Sequence, residues 1–288
     1  MASGKSRGSA LWKGAVSIVV FLLLWELGSR SKQWIVLDVF TPLRELLGAL
    51  GFKKTYLPWI GAIPAPTAVV WAWKDVVFEA GYWASWYMSS LRVFSGFLAA
   101  MLIGIPFGLG LAVSRTFHGI GFPVFELLRP IPPLAWVPAS IIFWPTQELS
   151  ISFVTFLGAF YTIVINVVGG AKSIDVRYFQ AAQSMGSSKA DIFWRVILPG
   201  TLPSIVVGSA VGMGITWEVV VAAEMISGGG SQIGGSGGGL GFFIWNSYVG
   251  GSYEQVVVGM ISIGIAGYIS SELLRHFGKY VTPWMRLR

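Results

Sequence analysis

Apolar residues fall into six long runs along the chain, and these runs organise everything else. Gly14 to Ser29, Val93 to Ser114, Pro130 to Gln147, Leu149 to Ala171, Val196 to Trp217 and Gln255 to Ser271 are each nearly free of charge. A helix needs about 20 mostly apolar residues to cross a bilayer, so the pattern predicts an all-α protein with six membrane spans. The third run differs from the others. Pro130, Pro132, Pro133 and Pro138 cannot all lie in one regular helix, because each lacks an amide donor. Irregular backbone at membrane depth survives only where protein buries it or water lines it. The proline-broken run is therefore a candidate for the wall of a translocation pathway, with Pro133 and Trp136 as lining residues.

Between the first two runs, the polar and apolar positions change character. Pro58, Pro64 and Pro66 punctuate the stretch, and Thr67 to Phe78 then places apolar residues at helical spacing. This segment reads as an interfacial helix with Trp71, Trp73, Trp83 and Trp86 at headgroup level, or as one packed on the spans. Three parts follow from the pattern. Residues 1–84 hold the first span and this external segment, 85–275 form a core transmembrane domain, and 276–288 are a tail.

Composition sharpens the class. Of 288 residues 54% are hydrophobic and 11% charged, and cysteine is absent. That excludes a disulfide scaffold, a thiolate metal site and a cysteine nucleophile, and it fits neither disorder nor a polar-surfaced soluble enzyme. The net charge of +7 becomes informative once it is placed. Eleven of the 20 basic residues lie in the termini and in the connection between the fourth and fifth runs, and none lies from Val196 to Leu274. Basic residues favour the cytoplasmic side, so both termini are expected there. The charge reflects orientation and not nucleic-acid binding. A channel, an ion-coupled secondary transporter and a membrane-embedded enzyme are the rival classes. The enzyme needs polar catalytic residues that these spans lack, and the secondary transporter calls for paired broken helices where one is evident.

The connection from Lys172 to Gly200 carries the most specific local signals. Asp175 has the chemistry of an N-cap, Gly186 ends the helix that follows, and Ser188 with Asp191 has capping-box spacing. Pro199 is expected to terminate the second helix. Two short amphipathic helices around a glycine bend make a knob suited to a groove on a partner.

Here the sequence resembles a known family. Gln180-Ala181-Ala182, Gly186 six residues after Gln180, and Leu198-Pro199 are similar to the EAA signature of binding-protein-dependent ABC importer permeases, with Gln180 standing where that signature has Glu. Arg129-Pro-Ile-Pro-Pro-Leu-Ala-Trp-Val-Pro138, Phe156-Leu-Gly-Ala-Phe160 and Ala222-Ala-Glu-Met225 resemble the nitrate, sulfonate, taurine and bicarbonate branch. Pro145 to Ser150 departs from that branch and keeps only Glu148 of its turn, and the glycine-rich stretch after Ser227 is longer.

The resemblance implies a type I importer permease fold in a bacterial cytoplasmic membrane. It implies a second permease copy, ATPase subunits carrying ATP and Mg, an outer substrate-binding protein, and no cofactor on this chain. Gln180, Ala181, Ala182, Gly186, Leu198 and Pro199 would couple to the ATPase. The cargo would be a small oxyanion, with another small organic cargo as the alternative. Arg129 and Glu224 join Pro133 and Trp136 as pathway candidates, with the pairing of Arg129 to Glu126 as the simpler reading for that arginine. Glu218 and Glu224 are otherwise expected at the outer water interface, the latter as a gate or receptor contact. Gly96, Gly104, Gly108 and Gly110 are expected to let spans approach closely.

Overall fold

The computed structural model describes residues 3–35, 45–46, 49–50, 63–228 and 238–284, with side chains from Trp12 to Arg30 in the first helix. Eleven helices and a 3-10 turn carry the argument. They are α1 (Ser3–Ile35), α2 (Pro66–Val76), α3 (Ala80–Val113), α4 (Arg115–Leu128), a 3-10 turn (Pro133–Trp136) leading into α5 (Val137–Phe143), α6 (Gln147–Lys172), α7 (Val176–Ser184), α8 (Lys189–Ile192), α9 (Leu198–Ser227), α10 (Leu240–Val249) and α11 (Tyr253–Val281). There is no strand among the described residues.

Contacts divide the chain into two units. The first comprises Met1–Glu79 with Ser247–Val258. Within it, α1 and α2 meet through Glu26. Its carboxylate accepts from the Thr67 backbone amide at 3.2 Å and from Thr67 Oγ1 at 3.0 Å, while Arg30 Nε donates to it at 2.6 Å. Pro66 supplies a fixed φ and needs no amide partner at the start of α2, and the carboxylate serves the free amide beside it. The amphipathic helix read from Thr67 to Phe78 is present. It buries Val69 and Val76 and exposes Trp71, against which Lys74 stacks at 5.2 Å.

The second unit, Ala80–Asn246 with Gly259–Arg288, is the helical core. Gly96, Gly104 and Gly108 on α3 lie directly against Thr155, Phe160 and Val167 on α6. A Cβ on Gly108 would stand 2.9 Å from Val167. This is the close approach expected of small residues. The matched numbering also shows that α3 and α6 run parallel. Along α9, Gly208 meets Asn166, Gly212 meets Ala159, and Val219 meets Gly158, so α6 and α9 run antiparallel. On α11, Gly267 faces Trp217 and Gly278 faces Val206, which makes α11 antiparallel to α9.

Because α3 and α6 are parallel, residues 114–146 must carry the chain back from the end of one to the start of the other. Four of the long spans expected in addition to α1 are present: among the described residues five helices are long and apolar enough to cross a membrane. The expected third span, Pro130 to Gln147, is not among them. Its prolines confine the helical part to Pro133–Phe143, too short to cross alone. The return begins earlier, at Arg115, and is built from α4, the turn and α5. Ser114 caps α4 by accepting from the Phe117 amide, and Phe125 anchors that helix among Leu111, Leu157, Tyr161 and Val164.

One further expectation fails. Pro199 does not end the helix that starts at α8. Phe193–Ile197 forms a π turn, and the Leu198 amide donates to the Phe193 carbonyl five residues back. The shift in register comes just before the residue that has no amide to donate, so α9 begins without a break.

Candidate functional site

The connection between α6 and α9 folds as its residues specify. The Asp175 side chain accepts from the Arg177 amide at 2.9 Å and starts α7. Gly186, at φ +75°, ends it in the left-handed region, which side-chain-bearing residues enter at a cost. Ser188 and Asp191 satisfy each other's backbone amides in a complete capping box. Gln180, Ala181 and Gly186 are exposed, whereas Ala182 is buried. Leu198 and Pro199 are half-buried at the base. Val176, Tyr178, Met185 and Trp194 are between 61% and 78% exposed, so the knob presents an apolar surface that no described residue covers.

A cavity of about 790 Å³ lies beneath the knob, lined among others by Asp175, Tyr178, Arg195, Pro199 and Trp284. Lys172 at the foot of α6 lies 3.1 Å from His118 Nε2. Since α11 ends beside the start of α9, Arg115, Lys172, Arg177, Lys189, Arg195 and Lys279 gather at one end of the core.

The opposite half contains a cluster that sequence reading missed. Arg92, on α3, is 1% exposed. Its Nε and Nη2 each donate to Glu148 at 2.7 Å, and its Nη1 donates to Glu224 and to the Gly238 carbonyl at 2.8 Å. Thr146 caps α6 and so sets the start of the helix on which Glu148 stands. Ser89, one turn before Arg92 on the same face, donates to Glu224 at 2.7 Å and accepts from the Leu240 amide at 2.8 Å. The Gly241 amide completes the shell of Glu224 at 2.8 Å.

Four segments, α3, α6, α9 and the entry to α10, are thus tied at one point. One guanidinium faces two carboxylates. The excess negative charge is met by a hydroxyl and an amide, as a buried charge requires. Gly239 makes the approach possible. At φ +104° it lies against the Glu224 carboxylate where any side chain would collide.

The pathway candidates are placed separately. Glu224 is fully buried in the ion cluster, so the expectation of an outer water interface does not hold for it. Glu218, six residues before it, is exposed. Arg129 is exposed at the end of α4 and lies 3.5 Å from Glu126, the simpler pairing. Pro133 opens the 3-10 turn. Trp136 packs against the Leu111–Phe125 cluster, and its indole N–H is buried without an acceptor among the described residues. Arg92 and Ser89 went unnoticed because Arg92 adjoins the second apolar run and has no nearby acid in sequence. The available signal was an arginine and a serine one helical turn apart at the edge of an apolar run.

The family of binding-protein-dependent transport system inner membrane components matches over residues 104–287. An ABC transporter permease protein of Methanocaldococcus jannaschii is 38% identical, covering 69% of this chain and 72% of its own. The taurine transport system permease protein of Escherichia coli K12 is 34% identical over 72% of each chain. The nitrate import permease protein of Leptolyngbya laminosa is 35% identical over 67% of this chain and 66% of its own. Among solved structures, an inward-facing methionine ABC transporter gives a TM-score of 0.53 at 23% identity, covering 69% of this chain and 94% of the other. A bacterial ABC transporter involved in alginate import gives 0.54 at 15% identity, covering 95% and 99%. These two likenesses concern the fold.

Proposed function

The chain belongs to the family of binding-protein-dependent transport system inner membrane components, and from that premise we propose that it imports a small oxyanion by alternating access. It is the permease subunit of an ABC importer; ATP hydrolysis belongs to partner ATPase subunits, and a substrate-binding protein delivers cargo. In this reading two copies of the chain pair in a bacterial cytoplasmic membrane. Both termini and the basic end of the core face the cytoplasm, in keeping with the distribution of Lys and Arg. ATP and Mg bind to the partners, and this chain holds no cofactor.

The observation that carries the proposal is the knob. Exposed Gln180 and Ala181, the apolar surface around them and the left-handed bend at Gly186 make a rigid projection at the basic end. The projection continues through the π turn into α9 without a loop. A push on the knob is therefore transmitted along α9, which packs on α6, α3 and α11. Residues 85–275 act as the moving core, with 172–200 as the coupling loop. Relatives named for taurine, nitrate and bicarbonate transport support an oxyanion cargo without choosing among the three.

Co-purification in mild detergent followed by uptake assays in proteoliposomes tests the reading. The expected result is an ATPase partner and ATP-dependent uptake of at least one of an aminosulfonate, nitrate or bicarbonate. Uptake driven by an ion gradient without ATP would replace it with the secondary-transporter reading.

A further inference from the structure

Three carboxylates occupy the half of the core away from the knob, and their surroundings differ. Glu148 and Glu224 are held by Arg92. Glu218 is exposed, and among the described residues no hydrogen bond or ion pair reaches it. It lies about 9 Å further into the core than Glu224, at 1.5 Å of helix rise per residue. Val207, Val211 and Gly214 precede it on the same exposed stripe of α9. A free carboxylate within a membrane-spanning helix is costly, and such residues face a partner or an aqueous path.

The groove beside Glu218 gives that path a chemistry. It measures about 460 Å³ and is walled by Trp217 and Val221 on α9, Ile244 on α10, and Met260, Gly264 and Tyr268 on α11. Among the described residues Glu218 is the only charged one that lines it. The Trp217 indole N–H is already committed to Ser270 Oγ at 3.0 Å, so that ring offers its apolar body. Tyr268 is 66% exposed and offers a ring face. One carboxylate and an aromatic face in an apolar trough suit a cation, through a charge-assisted hydrogen bond and cation–π attraction. The same groove repels a simple anion.

We propose that Glu218 and the groove between α9 and α11 receive the ammonium group of a zwitterionic cargo, selecting amine-bearing oxyanions over nitrate and bicarbonate. This rests on the oxyanion-importer reading and narrows it. The assay reconstitutes the whole importer with its binding protein and measures uptake of 2-aminoethanesulfonate, ethanesulfonate, nitrate and bicarbonate. Glu218→Gln removes the charge and keeps the shape, and Glu218→Asp keeps the charge.

The expected result is selective. Glu218→Gln lowers aminoethanesulfonate uptake by about tenfold or more, the scale of one charge-assisted hydrogen bond. Glu218→Asp retains most of it, ethanesulfonate uptake does not fall, and ATP hydrolysis without cargo is unchanged. Equal loss for both sulfonates, or no loss for either, overturns the role of Glu218 and leaves the importer standing. Wild-type uptake of nitrate or bicarbonate with no amine-bearing compound also overturns it. If the wild type carries none of the four, the oxyanion reading fails and this inference fails with it.

Discussion

The knob between α6 and α9 and the ion cluster around Arg92 are both polar devices in an apolar protein, yet they are specified in opposite ways. Every bond that shapes the knob joins residues within a few positions of one another: Asp175 to Arg177, Ser188 to Asp191. In the cluster, Arg92 reaches 56 residues to Glu148 and 132 to Glu224. The knob is formed by local rules and presents its surface outward. The cluster forms only when three long helices are already packed, and it presents nothing. A local device can move as a body without losing its shape, which suits coupling. A long-range device reports whether the helices are together, which suits closure of the opposite half.

Substitutions break this contrast in order of size. Arg92→Met strands two carboxylates, one of them fully buried, and is expected to destabilise the protein by about 3–5 kcal/mol. Thermal unfolding in detergent reads the loss, and Arg92→Lys restores little because an ammonium cannot donate the bidentate fork to Glu148. A melt unchanged by Arg92→Met contradicts the cluster.

Gly239→Ala places a side chain against Glu224 at a positive φ, with an expected cost of about 1–3 kcal/mol. Increased proteolysis near the start of α10 locates that damage, and wild-type resistance there counts against the tie. Gly186→Val forces a β-branched residue into the left-handed region at about 1–2 kcal/mol. Its unfolding midpoint shifts little, while uptake falls sharply if the bend sets the angle of the knob. Ser188→Ala removes one half of the capping box, at about 1 kcal/mol. Uptake is expected to drop less than for Gly186→Val, and the reverse order would show that the box, not the bend, positions α7.

The same contrast explains what the sequence made legible. Asp175, Gly186, Ser188 and Asp191 announce the knob because caps and glycine bends act over three or four residues. The long helices are legible from uninterrupted apolar runs, and the close contacts of α3 and α6 from the glycines at 96, 104 and 108. The third run was recognised as broken by its four prolines, but it was still counted as a span of its own because α4, which begins the return at Arg115, was not joined to it. That α3 and α6 run parallel, so that the chain must return between them, is visible only in their packing. Pro199 was misread because a π turn can absorb a missing donor. The partners of Arg92 depend on topology, and a single sequence carries no local sign of them.

Coupling through the knob is the central claim, and Ala181 tests it most directly. It is exposed, whereas Ala182 is buried and its replacement would confound folding. In proteoliposomes containing the purified importer, Ala181→Arg is expected to leave the unfolding midpoint unchanged while abolishing ATP-driven uptake and weakening retention of the ATPase subunit. A stable Ala181→Arg variant that holds its ATPase and imports at the wild-type rate would contradict the account.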